Sequence, residues 1–240
     1  METSADLFSP EAKTETGPTR KIKLVELLVF LFLIVPSTAL SFFAVKQGSL
    51  GFVLVAVATI LRDLALVALL LFFIWRNHEP VISLGWSLRH LSREAFLGLA
   101  LFFPTFIAAS GLERVLVSAG FSSPATPLPA LQAKGGLGYS VLGLILVAVV
   151  AVSEETIFRG YLILRIKALA SSPLAAVILS AFIFSLGHGY EGSAGVVTVG
   201  FLGLVFAVVY LWRGSLVAPI VMHFLQDFIG IVLLPLLKLK

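Results

Sequence analysis

The stretch Val141–Val152 carries no charged residue, and it leads directly into Ser153-Glu154-Glu155-Thr156-Ile157-Phe158-Arg159-Gly160. Tyr161-Leu162-Ile163-Leu164 is apolar again. A run of this length exceeds a strand and reads as a helix. Where no water reaches the backbone, a helix also satisfies its own polar groups. Two adjacent carboxylates and a guanidinium inside such a helix are expensive, at about 2.5–3.5 kcal/mol for each ionisable group at membrane depth. The cluster is therefore a candidate functional site, and the rest of the chain is read for groups that join it.

Composition fixes the surroundings. The 240 residues are 59% hydrophobic and 12% charged, with mean hydropathy +1.06. A soluble domain is nearer half apolar and a quarter charged. The class is all-α: a polytopic membrane helical bundle of about seven transmembrane helices, within a range of six to eight. With no cysteine, disulfides and thiolate zinc sites are excluded. The net charge of +4 is what loop lysines and arginines give a membrane protein. No basic stretch supports nucleic-acid binding.

Residues 1–19 are polar, contain Pro10 and Pro18 and lack apolar periodicity, so they read as a disordered tail. Residues 20–240 read as a single membrane domain. The expected spans run near 24–45, 50–75, 95–117, 137–170, 174–188, 195–212 and 216–237. Lys46-Gln47-Gly48-Ser49, the charged connector Arg76–Arg93 with its solvated His78 and His90, and the exposed Ser/Pro/Gly-rich loop 119–138 separate the first four. Ser171-Ser172-Pro173 stops the fourth. Lysine and arginine bias places the N-terminus and the Ser171 turn on the cytoplasmic side, with Arg165 counted among the inside cations. Arg62 and Asp63 are neighbours in sequence and point to different faces, so each is expected to need its own partner.

The remaining polar residues of the hydrophobic helices fall into two further groups. Phe184 and His188 are four residues apart, as are His223 and Asp227, so each pair shares a helix face. Glu155 and Arg159 have the same spacing and read as an ion pair. Glu154 lies about 100° round the helix and is the better candidate for chemistry. Glu154 stands 17 residues before Ser171 and His188 stands 17 after it, so both lie about 25 Å along their helices from the turn. His223 is nine residues past Gly214, only about 13 Å up its helix. That mismatch calls for tilt, a reentrant turn or another hairpin boundary. A tuned carboxylate takes a proton from water, and neutral imidazoles position the water, donate to an oxyanion or bind zinc. The natural reaction of such a set is hydrolysis.

In this order Glu154-Glu155-x-x-x-Arg159, Phe184-x-x-x-His188 and His223-x-x-x-Asp227 resemble the motifs of the CPBP family of intramembrane proteases. That family includes the CAAX prenyl endopeptidases of the Rce1 type and bacterial Abi or bacteriocin-processing-like proteins. The resemblance covers a core at about 138–235. It implies a membrane-embedded glutamate-type or metallo-endopeptidase that cleaves a peptide or membrane-associated protein. Glu154 and His188 would then activate water, and His223 and Asp227 would stabilise the oxyanion. If the enzyme is metal-dependent, Glu154, His188, His223 and Asp227 would hold a divalent ion such as zinc. Glu155, Arg159 and Phe184 would support them. Ionised Asp accepts hydrogen bonds only, so Asp227 favours a ligand or His-orienting role unless it is protonated. The expected partners are a peptide substrate and the lipid bilayer, and the expected location is the plasma or inner membrane, multi-pass. The competing classes are a non-proteolytic immunity or regulatory scaffold and a proton-coupled transporter.

Overall fold

The computed structural model describes residues 17–44, 51–123, 132–133 and 136–238, with side chains described only to residue 36 in the first segment and to residue 237 in the last. The helices are α1 (Arg20–Ala44), α2 (Phe52–Arg76), α3 (Leu91–Ser118) and α4 (Leu137–Ala170). They continue with α5 (Pro173–Leu186), α6 (Gly192–Arg213) and α7 (Val217–Leu237). No strand occurs among the described residues. Five helices, α2, α3, α4, α6 and α7, are long and apolar enough to cross a membrane. Phe32, Phe96 and Ile107 are at least 70% exposed, an outer surface suited to lipid rather than water. The chain is a multi-pass membrane protein.

The elements end where local chemistry stops them. Ser171 takes a left-handed conformation, and the Ser172 hydroxyl caps α5 by accepting from the Ala175 N–H at 3.2 Å. Pro173 then fills the first turn of α5, where no N–H is needed. α4 stands at the centre, packed against α1, α2, α5 and α7. Its own side chains Ile157, Phe158, Tyr161, Leu162 and Ile163 form the middle of the main apolar core. α3, α6 and α7 enclose a second core around Phe102, Phe206 and Met222.

Two stretches widen to i→i+5 hydrogen bonding: Glu155–Leu162 in α4 and Phe228–Leu233 in α7. Such turns concentrate at functional sites. Here one begins at the acidic cluster, and the other begins directly after Asp227.

The connector after α2 folds inward instead of lying in solvent. Leu84 is fully buried, and a Cβ on Gly160 would sit 2.8 Å from the Leu84 carbonyl oxygen. Gly160 thus lets the connector lie directly on α4. The Gly85 carbonyl accepts from the Leu216 N–H at 3.0 Å, which starts α7 at the level of Gly160. This resolves the depth mismatch of His223. Seven residues separate Leu216 from His223 and five separate Gly160 from Glu155, rises of about 10 and about 8 Å. His78 and His90 are exposed, as expected of connector side chains.

Three expectations are corrected. Arg62 and Asp63 pair with each other, at 2.9 Å from Nε and 2.8 Å from Nη2 to the same Oδ1, because the long Arg62 side chain turns back along the helix. Arg165 is a fully buried ion-paired residue, not a loop cation. Ala133, from the loop read as exposed, is buried and donates its N–H to the Ile231 carbonyl at 3.0 Å. Residues 1–16 of the expected tail, the Lys46–Ser49 turn and half of the 119–138 loop lie outside the described residues.

Candidate active site

α4 supplies the acids. Glu155 is fully buried, and its Oε1 accepts from Arg159 Nη1 at 2.8 Å. Arg159 also donates from Nη2 to the Gly203 carbonyl at 3.4 Å. Gly203 also lets α6 lie close on α5, since a Cβ there would stand 3.2 Å from both Ala181 Cβ and Phe184 Cδ1. The Arg159 guanidinium lies between two rings, 4.3 Å from the Phe184 centroid and 5.3 Å from that of Phe206. Cation–π contacts of this kind help hold a desolvated guanidinium.

α7 supplies His223, which is 4% exposed. Its Nδ1 is 2.8 Å from Glu155 Oε1. The Glu155 carboxylate is already engaged by Arg159 and accepts only, so Nδ1 carries the proton and donates. That bond sets the ring and directs Nε2 at two other carboxylates, Glu154 Oε2 at 3.8 Å and Asp227 Oδ2 at 3.4 Å. The orienting partner of His223 is thus Glu155, with Asp227 on the opposite, Nε2 side. Glu155 has two tasks where the spacing showed one. The spacing was silent because α4 and α7 meet only in the fold.

His188 follows the end of α5. Its Nδ1 is 3.1 Å from the Phe184 carbonyl oxygen, an acceptor only, so Nδ1–H donates and Nε2 is left free. The ring packs 4.9 Å from Phe184, which also meets His223 at 5.9 Å. Phe184 is therefore the shared floor of Arg159, His188 and His223. No direct bond joins His188 to Glu154 among the described residues.

Glu154 differs from its neighbour. Its side chain is 14% exposed, yet Oε2 is itself inaccessible and has no hydrogen-bond partner. Glu155 Oε2 is likewise unpartnered. Other groups surround the acid. Arg62, Asp63, Tyr190 and Glu191 all lie within electrostatic range of Glu154, and Tyr190 stacks 5.7 Å from His188. Arg62 and Asp63 reach the site from α2, which the sequence reading did not expect of them.

A metal was expected to take Glu154, His188, His223 and Asp227 together. Among the described residues no three His, Asp or Glu side chains stand as a ready ligand set. His223 Nε2 stands 3.8 Å from Glu154 Oε2 and 3.4 Å from Asp227 Oδ2, and these side chains with His188 are the ones that would hold a metal. A catalytic zinc needs three protein ligands with an open position.

Residues 136–229, less than half of the chain, match the family model described as type II CAAX prenyl endopeptidase Rce1-like. The match spans all three motifs, and the resemblance read from them holds over that segment. No curated protein and no solved structure matches the chain.

Proposed function

We propose that this chain, CAAX-protease-like at the level of family, is an intramembrane endopeptidase that hydrolyses a peptide bond with a water activated by Glu154 and His188. The observation that carries this reading is the unpartnered Glu154 Oε2, 3.8 Å from His223 Nε2 in a site at membrane depth. A carboxylate oxygen left without a partner in such surroundings is costly, and its retention is explained if it handles a proton.

This reading gives each side chain a role. Glu154 and the free Nε2 of His188 accept the two hydrogens of one water and turn its lone pair toward a scissile carbonyl. The water oxygen bonds to the carbonyl carbon as Glu154 takes the proton. The C–N bond then breaks, and Glu154 returns the proton to the leaving amine. His223, fixed by Glu155, donates from Nε2 to the oxyanion when that nitrogen is protonated. Asp227 holds the same side of the ring, in keeping with an orienting or ligand role. The substrate class is a membrane-associated peptide, prenylated near its C-terminus, and the setting is the plasma or inner membrane. One membrane domain, residues 20–240, is proposed to carry the activity.

The test compares peptides released from membranes bearing the wild-type chain or Glu154→Ala, with and without a chelator. Products that vanish in the variant at equal expression support the reading, and their persistence overturns it. Loss of product with chelator alone supports the metal-dependent form of the reading. A phenotype kept by Glu154→Ala with no product in either membrane fits a non-proteolytic scaffold.

A further inference from the structure

The mechanism leaves the Arg62–Asp63 pair unused. Arg62 lies 14 residues before Arg76, and Glu154 lies 17 before Ser171. These helix ends are on the same side, because Arg165 near one of them bonds Glu79 just past the other. Arg62 and Glu154 are thus at about 21 and about 25 Å from that side, at nearly one depth. Asp63 beside Arg62 is 1% exposed.

The Arg62 side chain, by contrast, is 49% exposed. A guanidinium facing lipid at this depth is strongly disfavoured, and besides Asp63 the Arg62 guanidinium lies within electrostatic range of Glu154 and Tyr190. With the matched depth of Arg62 and Glu154, this points its open side toward the active site. Asp63 occupies only the Nε and Nη2 edge of the fork. The Nη1 edge is left presented, with its orientation held by a buried carboxylate. A fixed, half-open guanidinium is suited to bidentate recognition of a planar anion.

We infer that Arg62, held by Asp63, is a substrate-binding residue that receives a carboxylate of the peptide and so sets where the chain is cut. The inference rests on the proposed proteolytic reading and deepens it. Arg62 makes no direct bond to Glu154, so the bound carboxylate lies one or more extended residues, about 3.3 Å each, from the attacked carbonyl. A C-terminal carboxylate and an acidic side chain offer the same chemistry.

The experiment measures binding of fluorescent farnesylated peptides to the full chain in nanodiscs, in a Glu154→Gln background. Three probes are used: a free C-terminal acid, its C-terminal amide, and an amide whose last residue is Asp. The free acid is expected to bind roughly 10- to 100-fold more tightly than the amide. Arg62→Gln should abolish that difference, and Arg62→Lys should restore part of it. Arg62→Gln/Asp63→Asn, which leaves no orphaned buried acid, should behave like Arg62→Gln. Tight binding of the Asp-ended amide assigns the site to an acidic side chain, and weak binding assigns it to the terminus. Equal binding of acid and amide, including failure of both, overturns the inference, as does an equal loss of both in Arg62→Gln. Cleavage by the Glu154-intact chain is scored separately. Discrimination without cleavage removes the hydrolytic reading and keeps the carboxylate site, and cleavage without discrimination does the reverse.

Discussion

α4 carries two buried arginines, Arg159 and Arg165, each ringed by carboxylates, and the two surroundings are built on opposite plans. Around Arg165 every carboxylate oxygen is used. Glu79 receives both guanidinium nitrogens at 2.9 and 2.6 Å, Glu26 Oε2 receives one at 3.2 Å, and Glu26 Oε1 accepts from Asn77 at 2.7 Å. Around Arg159, Glu155 Oε1 takes two bonds, while Glu155 Oε2 and Glu154 Oε2 take none. The first cluster ties α1 and the end of α2 to α4. The second leaves oxygens unsatisfied beside two histidines. A buried network whose carboxylate oxygens are all filled fixes geometry, and one with open carboxylate oxygens is where proton chemistry has room to occur.

The sharpest break between them is functional. Glu154→Gln should lower single-turnover cleavage by roughly 10²- to 10⁴-fold and leave unfolding in detergent unchanged. Full activity in this variant would erase the distinction between the two clusters.

Arg165→Met is the converse. It strands Glu26 and Glu79 without their cation, and removing one partner of a buried network costs about 3–5 kcal/mol. The expected result is a clear drop in unfolding midpoint, with whatever protein remains folded still active. Arg165→Met/Glu26→Gln/Glu79→Gln should recover most of the midpoint. If the single variant unfolds like wild type, the clasp reading fails.

How far each cluster was legible follows from the same difference. The Arg159 cluster announced itself because charge inside an apolar run has a cost that sequence alone reveals. The Arg165 cluster did not. Glu26 and Arg165 lie near span ends, where charges are ordinarily solvated, and a count of lysines and arginines cannot separate a paired arginine from a free one. All seven helices were readable from apolar length, and α5 shows why their ends were less so. Its expected end was near residue 188, but the helix stops at Leu186 with Gly187 as its C-cap, which places His188 on a turn. The i→i+5 turns left no trace, since in a uniformly apolar segment no periodicity records a widened helix. The inward connector was hidden for a related reason. Leu84 and Gly85 look like loop residues until Gly160 offers a surface without a side chain.

Glu155 links the two plans, being saturated on one oxygen and open on the other. Glu155→Gln keeps an acceptor for His223 Nδ1–H and loses the charge that balances Arg159. Partners that orient a working histidine typically matter by about 10- to 100-fold at metal sites, and a similar loss of turnover is expected here. Glu155→Ala removes the acceptor as well and should fall further. Equal activity of the Gln variant and wild type would show that the hydrogen bond alone positions His223.

The smallest effect is expected at Phe184, which touches the site without donating or accepting a hydrogen bond through its side chain. The ring supports Arg159 through its face and both histidines by packing. Phe184→Leu keeps the apolar volume and removes the π-face, worth about 0.5–2 kcal/mol for a partly or fully desolvated cation. A fall in turnover of several-fold is expected, with a small drop in unfolding midpoint. Phe184→Tyr retains the face and should stay near wild type if the added hydroxyl is accommodated. If leucine and tyrosine are indistinguishable in turnover, the floor beneath Arg159 acts by volume alone. The guanidinium would then be held by Glu155 and the Gly203 carbonyl without help from the ring.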